Sequence, residues 1–179
     1  MKRPEVIKDI VRRIKAGDVF IYPTDTLYGI GCNATKAESV ERVRKIKGTG
    51  KPLSVIAPSP EWIFRNLIVD SPGWLEKLPG PYTLIVWKKK ASLLKECSPG
   101  PKLGIRIPSH YFTGFVAEAK VPFVTTSANI SGQEPGTKLA NMPVKLTSKV
   151  DVFIDDGEIK GKPSTVVDLT EPQPRVVRA

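Results

Sequence analysis

The 179-residue sequence contains a single histidine, His110. A zinc site or an imidazole-based triad has almost nothing to work with. Two cysteines, Cys32 and Cys97, stand far apart and outside any metal-ligand spacing. Such sparse use of cysteine fits a reduced compartment, and a cytoplasmic protein is expected. No stretch approaches about 18 uninterrupted apolar residues, so no membrane span is expected. The opening "MKRPEVIKDIVRRIKAGD" lacks the apolar core of a signal peptide and reads as an amphipathic helix. Neither G-x-x-x-x-G-K-[ST] nor G-x-G-x-x-G occurs, which removes a P-loop and a Rossmann fingerprint. "KGTGK" at 47–51 follows a helical pattern, whereas a P-loop precedes one. Internal repeats, low-complexity tracts and linkers are also missing.

What is present is basic. Lysine and arginine number 28 against 18 acidic residues, a formal charge of +10. That favours an anionic partner such as nucleotide phosphates or RNA. A lysine-rich surface serving solubility or heat tolerance explains the number equally well. Hydrophobic residues make up 40% of the chain, enough for a single core, and one domain over 1–179 is expected.

Residues 4–16 place Val6, Ile7, Ile10, Val11 and Ile14 at helical steps, with Pro4 at the first turn and Gly17 as the stop. A strand follows at 19–22. "AESVERVRKIKG" reads as a helix ending at Gly48, and "PEWIFRNL" starts another at Pro60. Strands are expected at "PLSVIA", "YTLIVWK", "LGIRIP" and "VPFVTTSAN". "HYFTGFVAEA" has helical spacing, with His110 in its first turn. A polar, glycine-rich segment covers 130–138, and "DVFIDD", "STVVDL" and "PRVVR" close the chain as short strands. Helices alternate with strands and then strands cluster, which implies an α/β fold with a mixed sheet and helices packed on it.

Four polar stretches interrupt or follow apolar strands and helices. They are Thr24-Asp25-Thr26, the cluster Lys45, Lys47, Thr49 and Lys51, the run Thr125-Thr126-Ser127-Ala128-Asn129, and Ser164-Thr165. In α/β sheets ligands bind beyond the carboxyl ends of strands, where the first and third stretches fall. Hydroxyls and an amide can hold a sugar, a phosphate or an amino acid, and lysines suit a polyphosphate. Each stretch also has an ordinary reading. Thr-Asp-Thr after proline can be a turn that satisfies its own backbone. Lysines on a helix can be a solvated face, and "TTSANISG" can be a cap or loop. Arg106 is the least ordinary charge, because its apolar setting "LGIRIP" demands an anionic partner or a water path. Composition and pattern alone reach an α/β domain with a polar, anion-friendly cleft.

Together the stretches resemble the YrdC-like family, the threonylcarbamoyl-AMP synthases. "YPTDTLYGIGCNA" is similar to the family's Y-P-T-[DE]-T-x-Y-G-[LI]-G. "KIKGTGKPLSVI" resembles its K-x-R segment followed by a K-P-L or N-P-L strand start. "PGPYTLIV", "LGIRIPSH", "TTSANISG", "PSTVVDL" and "PRVVR" resemble the remaining motifs. They come in the family's order and span nearly the whole chain. The likeness is to the short, single-domain branch.

The resemblance implies an open, twisted mixed sheet with flanking helices around a basic cavity. It implies a nucleotidyltransferase that joins L-threonine, bicarbonate and ATP, with Mg²⁺ on the triphosphate, into threonylcarbamoyl-AMP and pyrophosphate. Partner proteins then carry the threonylcarbamoyl group to an adenosine of tRNA. Position by position it implies Lys47 as the catalytic cation on the phosphates. Thr49, Lys51, Thr125, Ser127, Asn129 and Arg178 would join it around ATP. Thr24, Thr26, Arg106 and Ser164 would hold threonine, with no metal ligand among the side chains. One position departs from the pattern: K-x-R reads Lys47-Gly48-Thr49, so the arginine's bidentate fork is missing. Three other readings compete. They are a paralogue with altered activity, a module binding tRNA or double-stranded RNA through phosphates, and a carbamoyl-phosphate-using relative of hydrogenase maturation. Members of the last group carry zinc-binding cysteine motifs, which do not occur here.

Overall fold

The structure, a computed structural model, describes residues 4–179. Helix α1 (Pro4–Ala16) buries Ile10, Val11 and Ile14 and ends at Gly17, whose φ of 98° suits glycine. Strand β1 (Phe20–Tyr22) runs into a turn held by the Thr24 hydroxyl. Strand β2 (Gly29–Gly31) then pairs antiparallel with β1. Gly-Ile-Gly carries almost no strand propensity, and the sequence reading placed no strand there. Its glycines are steric necessities of the sheet. A Cβ on Gly31 would lie 1.7 Å from the Val124 carbonyl oxygen, and one on Gly29 would strike the Tyr22 ring.

Helix α2 (Ala37–Lys47) stops at Gly48 in the left-handed conformation. Strand β3 (Ser54–Ile56) leads to α3 (Pro60–Asn66), capped by the Ser59 hydroxyl, and to the two-residue β4 (Leu67–Ile68). Strands β5 (Tyr82–Lys88) and β6 (Lys102–Arg106) follow, then α4 (Phe112–Ala119) and β7 (Phe123–Ser127). His110 lies just before α4, where its Nδ1 accepts from the Phe112 amide. The short α5 (Val144–Thr147) precedes β8 (Val152–Phe153), β9 (Thr165–Asp168) and β10 (Arg175–Arg178).

The strands form one mixed sheet in the order β10-β9-β5-β6-β3-β7-β2-β1-β8, with β4 on β5. Pairs β1/β8, β3/β6 and β5/β9 are parallel and the rest antiparallel. Side-chain alternation decides what each face does. Ile21, Ile30, Val55, Leu84, Val86, Leu103, Ile105, Val124 and Val167 point to one face and form the larger core with Val40, Val43 and Ile46 of α2. On the other face α1 and α4 cover β1, β7 and β3. There Phe20, Tyr22, Phe112 and Phe123 pack together, with Tyr22 and Phe112 stacked at 4.1 Å. Such aromatic contacts add about 1 kcal/mol each beyond the area they bury.

That second face changes character over β6, β5 and β9. Its outward positions are Gly104, Arg106, Thr83, Ile85, Val166 and Asp168, all of which line a cavity. A Cβ on Gly104 would come within 2.3 Å of the Ser54 hydroxyl, so glycine keeps this floor low. The chain between β8 and β9 links opposite sides of the sheet and passes the cavity rim. Gly161 lies against the Thr26 carbonyl, and Pro163 lines the cavity.

Candidate active site

The cavity measures about 800 Å³ and all eleven site residues expected from the sequence line it. They come from four places: the turn after β1, the end of α2, the tip of β7, and the β6–β9–β10 wall.

Lys47 ends α2, where a cation is favoured by the helix dipole. Its side chain is not part of a solvated helix face: the residue is only 5% exposed. The ammonium donates to the carbonyls of Ser127 (2.6 Å) and Asn129 (2.9 Å) and approaches Asn129 Oδ1 at 3.4 Å. No carboxylate neutralises it, and burial pushes its pKa down to about 8. Asn129 is the hub of this wall. Its Oδ1 contacts the Ser127 hydroxyl, while its amide donates to the Ile130 and Gln133 carbonyls. The neighbouring loop carries Thr49, whose hydroxyl accepts from the Lys51 amide, and the exposed Lys51. Arg44 pins that loop by donating to the carbonyls of Lys51, Glu96 and Cys97.

The turn after β1 has two functions. Thr24 Oγ1 accepts from the amides of Thr26 and Leu27 and donates to the Leu27 carbonyl at 2.7 Å. Its capacity is used up, so Thr24 shapes the turn, as the ordinary reading of Thr-Asp-Thr has it. Thr26 Oγ1 receives Arg106 NH1 at 3.3 Å and NH2 at 3.4 Å and lies 3.0 Å from Thr24 Oγ1, which ties its hydroxyl to both the turn and the guanidinium. Asp25 supplies the anion that Arg106 requires, at 2.6 Å, and also accepts from the Ser109 amide. Burial lowers the Arg106 pKa and the Asp25 charge opposes that shift. Arg106 Nε is buried without a partner.

On the far wall, Ser164 stands between Thr83 and Arg178. The two hydroxyls are 2.8 Å apart, and the guanidinium donates to Ser164 O at 2.9 Å and to Ser164 Oγ at 3.2 Å. A register shift in β10 between Val176 and Arg178 turns both Val177 and Arg178 toward the cavity. Thr125 is buried, and its hydroxyl accepts from Tyr22 at 2.7 Å.

Five cationic side chains line the cavity against two carboxylates, Glu134 and Asp168. Lys102 is paired with Asp168 at 3.2 Å, and Arg106 with Asp25. Asp168 stays ionised because bonds from Thr170 and Lys102 outweigh its burial. Lys47, Lys51 and Arg178 have no carboxylate partner among the described residues, so the cavity presents net positive charge. No group of three or more His, Cys, Asp or Glu side chains that could hold a metal occurs among the described residues. Sequence reasoning did not select Asp25, Thr83, Lys102 or Asp168 as site residues. A carboxylate directly between two expected ligands, Thr24 and Thr26, was the available signal for Asp25. For Thr83 the only signal was its polar type in an apolar strand.

A mixed sheet carrying a basic, hydroxyl-rich cavity on one face defines a class, and comparison with known proteins assigns it. The sequence profile of the Sua5–YciO–YrdC family, described as "Telomere recombination", matches residues 12–179. The chain belongs to this family. It is 35% identical over 181 residues to the threonylcarbamoyl-AMP synthase of Bos taurus, covering 94% of this chain and 65% of that protein. It is also 35% identical over 177 residues to a putative threonylcarbamoyl-AMP synthase of Methanocaldococcus jannaschii, covering 95% and 83%. The chain thus spans just under two thirds of the length of the mammalian relative. Among solved structures, P. abyssi Sua5 complexed with L-threonine superposes with a TM-score of 0.89 at 29% identity, over 99% of this chain and 55% of that one. E. coli YciO superposes at 0.86 and 27% identity, over 99% and 90%.

Proposed function

We propose that residues 1–179 act as one catalytic domain, a cytoplasmic nucleotidyltransferase that makes L-threonylcarbamoyl-adenylate and pyrophosphate from L-threonine, bicarbonate and ATP. One observation carries this reading: three cations without carboxylate partners, Lys47, Lys51 and Arg178, share one cavity with the hydroxyls of Thr26, Thr83, Ser127 and Ser164. The names of the relatives, and threonine in the P. abyssi Sua5 structure, support it.

The threonine amine attacks the bicarbonate carbon and water leaves, giving a carbamate. A carbamate oxygen then attacks the α-phosphorus of ATP, and the bond to pyrophosphate breaks with its electron pair on the leaving group. This chemistry needs positioning and charge neutralisation more than a covalent nucleophile. Lys47 is the principal cation on the phosphates, with Thr49 and Lys51 at the rim. Thr125, Ser127, Asn129 and Arg178 complete the nucleotide side. Thr26, Arg106 and Ser164 hold the amino acid over the turn that Thr24 shapes. Mg²⁺ enters as part of the Mg–ATP substrate, since the lining supplies cations and hydroxyls rather than a carboxylate cage. The adenylate passes to a transferase partner acting on tRNA, and the charge of +10 suits an approach to RNA.

Pyrophosphate release with ATP, Mg²⁺ and bicarbonate, measured with and without L-threonine, tests the reading. Release that requires threonine and collapses in Lys47→Ala is expected. ATP binding without threonine-dependent release would overturn it and favour an altered paralogue. Salt-sensitive tRNA binding alone would favour an RNA-binding module.

A further inference from the structure

The scheme above assigns Thr83 no substrate atom, yet it is a buried polar side chain on the cavity floor, 5% exposed. It occupies an outward position of β5 between the core residues Leu84 and Val86 on one side and the Pro79–Pro81 turn on the other. Its methyl group faces Gly104, and its hydroxyl meets Ser164 at 2.8 Å.

The proton count of this pair is informative. Ser164 Oγ has one hydrogen and two lone pairs, and Arg178 NH2 occupies one lone pair. If Ser164 donates to Thr83, the Thr83 hydrogen is left over. If Thr83 donates to Ser164, the Ser164 hydrogen is left over. Either way the pair keeps one hydroxyl hydrogen and at least one lone pair without a protein partner, at the edge of the cavity. Such a couple matches a ligand hydroxyl, which donates and accepts at once. An apolar group in that place would leave both unpaired in a buried setting.

We propose that Thr83 is a specificity-determining residue: with Ser164, it reads the side-chain hydroxyl of the amino-acid substrate and rejects isosteres that lack it. This rests on the synthase reading of the same cavity. Valine has the shape of threonine with a methyl group in place of the hydroxyl, so it is the discriminating probe. A site built to bond a hydroxyl rejects such an analogue far more strongly than an apolar pocket does.

The experiment is pyrophosphate release by the whole chain with threonine, serine and valine, read as kcat/KM for each. Wild type, Thr83→Val, Thr83→Ser, Ser164→Ala and the double variant Thr83→Val/Ser164→Ala are compared, with thermal melts run alongside. The threonine-to-valine ratio is expected to fall about tenfold in Thr83→Val, the worth of one hydrogen bond. It should be kept in Thr83→Ser, which restores the hydroxyl. The double variant should lose little more selectivity than either single one, because the two groups act as a unit. A threonine-to-valine ratio unchanged in Thr83→Val, with only overall rate or melting temperature reduced, would overturn the proposal and leave the synthase reading standing. Absence of threonine-dependent release in the wild type would overturn the synthase reading and this proposal with it.

Discussion

Asp25 and Arg106 are 81 residues apart in the chain and 2.6 Å apart in the fold. The pair is almost fully enclosed, with side-chain exposures of 11% and 9%. One partner comes from the turn after β1 and the other from the end of β6, so the bond ties the two sides of the cavity together. Removing one charge from such a pair strands the other in a poorly solvated place. Asp25→Asn keeps the shape and loses the charge. It is expected to cost about 3 kcal/mol of stability, seen as a melting temperature lower by roughly 10 °C. A melt within a degree or two of wild type would mean that Arg106 finds water instead.

The buried ammonium of Lys47 is expected to make ligand binding dependent on pH. Burial lowers its pKa from an ordinary 10.5 to about 8. Between those values the unfolded chain binds more protons here than the folded one. The fold therefore gains stability from this group as pH rises through that window, and the penalty is complete below pH 8. A phosphate beside the ammonium reverses the shift, so ATP is expected to bind with uptake of about half a proton at pH 8 and almost none at pH 6.5. Calorimetry in buffers of different ionisation enthalpy measures this directly. Equal heats in all buffers at pH 8 would place the triphosphate away from Lys47.

Gly161 lets the segment between β8 and β9 lie against the Thr26 carbonyl, where a Cβ would fall at 1.7 Å. Gly161→Ala must push that segment off the turn. The threonine KM is expected to rise tenfold or more with the sheet intact, since Gly161 lies outside every strand. Steady-state kinetics over a threonine titration, with circular dichroism as the control for folding, checks both halves. An unchanged KM would mean that the segment does not shape the amino-acid end.

By the motif resemblance, Thr49 takes the place of the arginine in K-x-R. It lines the cavity, and its hydroxyl accepts from the Lys51 amide. Thr49→Arg adds a planar fork that can grip a phosphate bidentately. The KM for ATP is expected to fall about tenfold, in line with a charge-assisted hydrogen bond. No change would mean that Lys51 already occupies that role.

Much of the fold was legible because α1, α2 and α4 have apolar residues at helical steps, and α1 and α2 end at glycines with positive φ. The strands β5, β6 and β7 were legible as apolar runs. Strand β2 was not, since Gly-Ile-Gly has the composition of a turn and its reason lies in the Val124 backbone, far away in sequence. The two-residue β4 is too short to carry a pattern. Hydroxyls at strand tips pointed to the cavity because they break apolar runs. The burial of Lys47 was hidden, because a lysine on a helix looks the same whether its partners are water or the carbonyls of a distant strand. The pairing of Thr83 with Ser164 depends on β5 lying beside β9, which alternation within one strand cannot reveal.

The most direct test of the account supplies ¹³C-bicarbonate with ATP, Mg²⁺ and L-threonine, and examines the products by mass spectrometry immediately after mixing. The account predicts an adenylate that contains threonine and one ¹³C atom, formed together with pyrophosphate and lost in Lys47→Ala. An adenylate without the label, or pyrophosphate release with no threonine-containing adenylate, would contradict it.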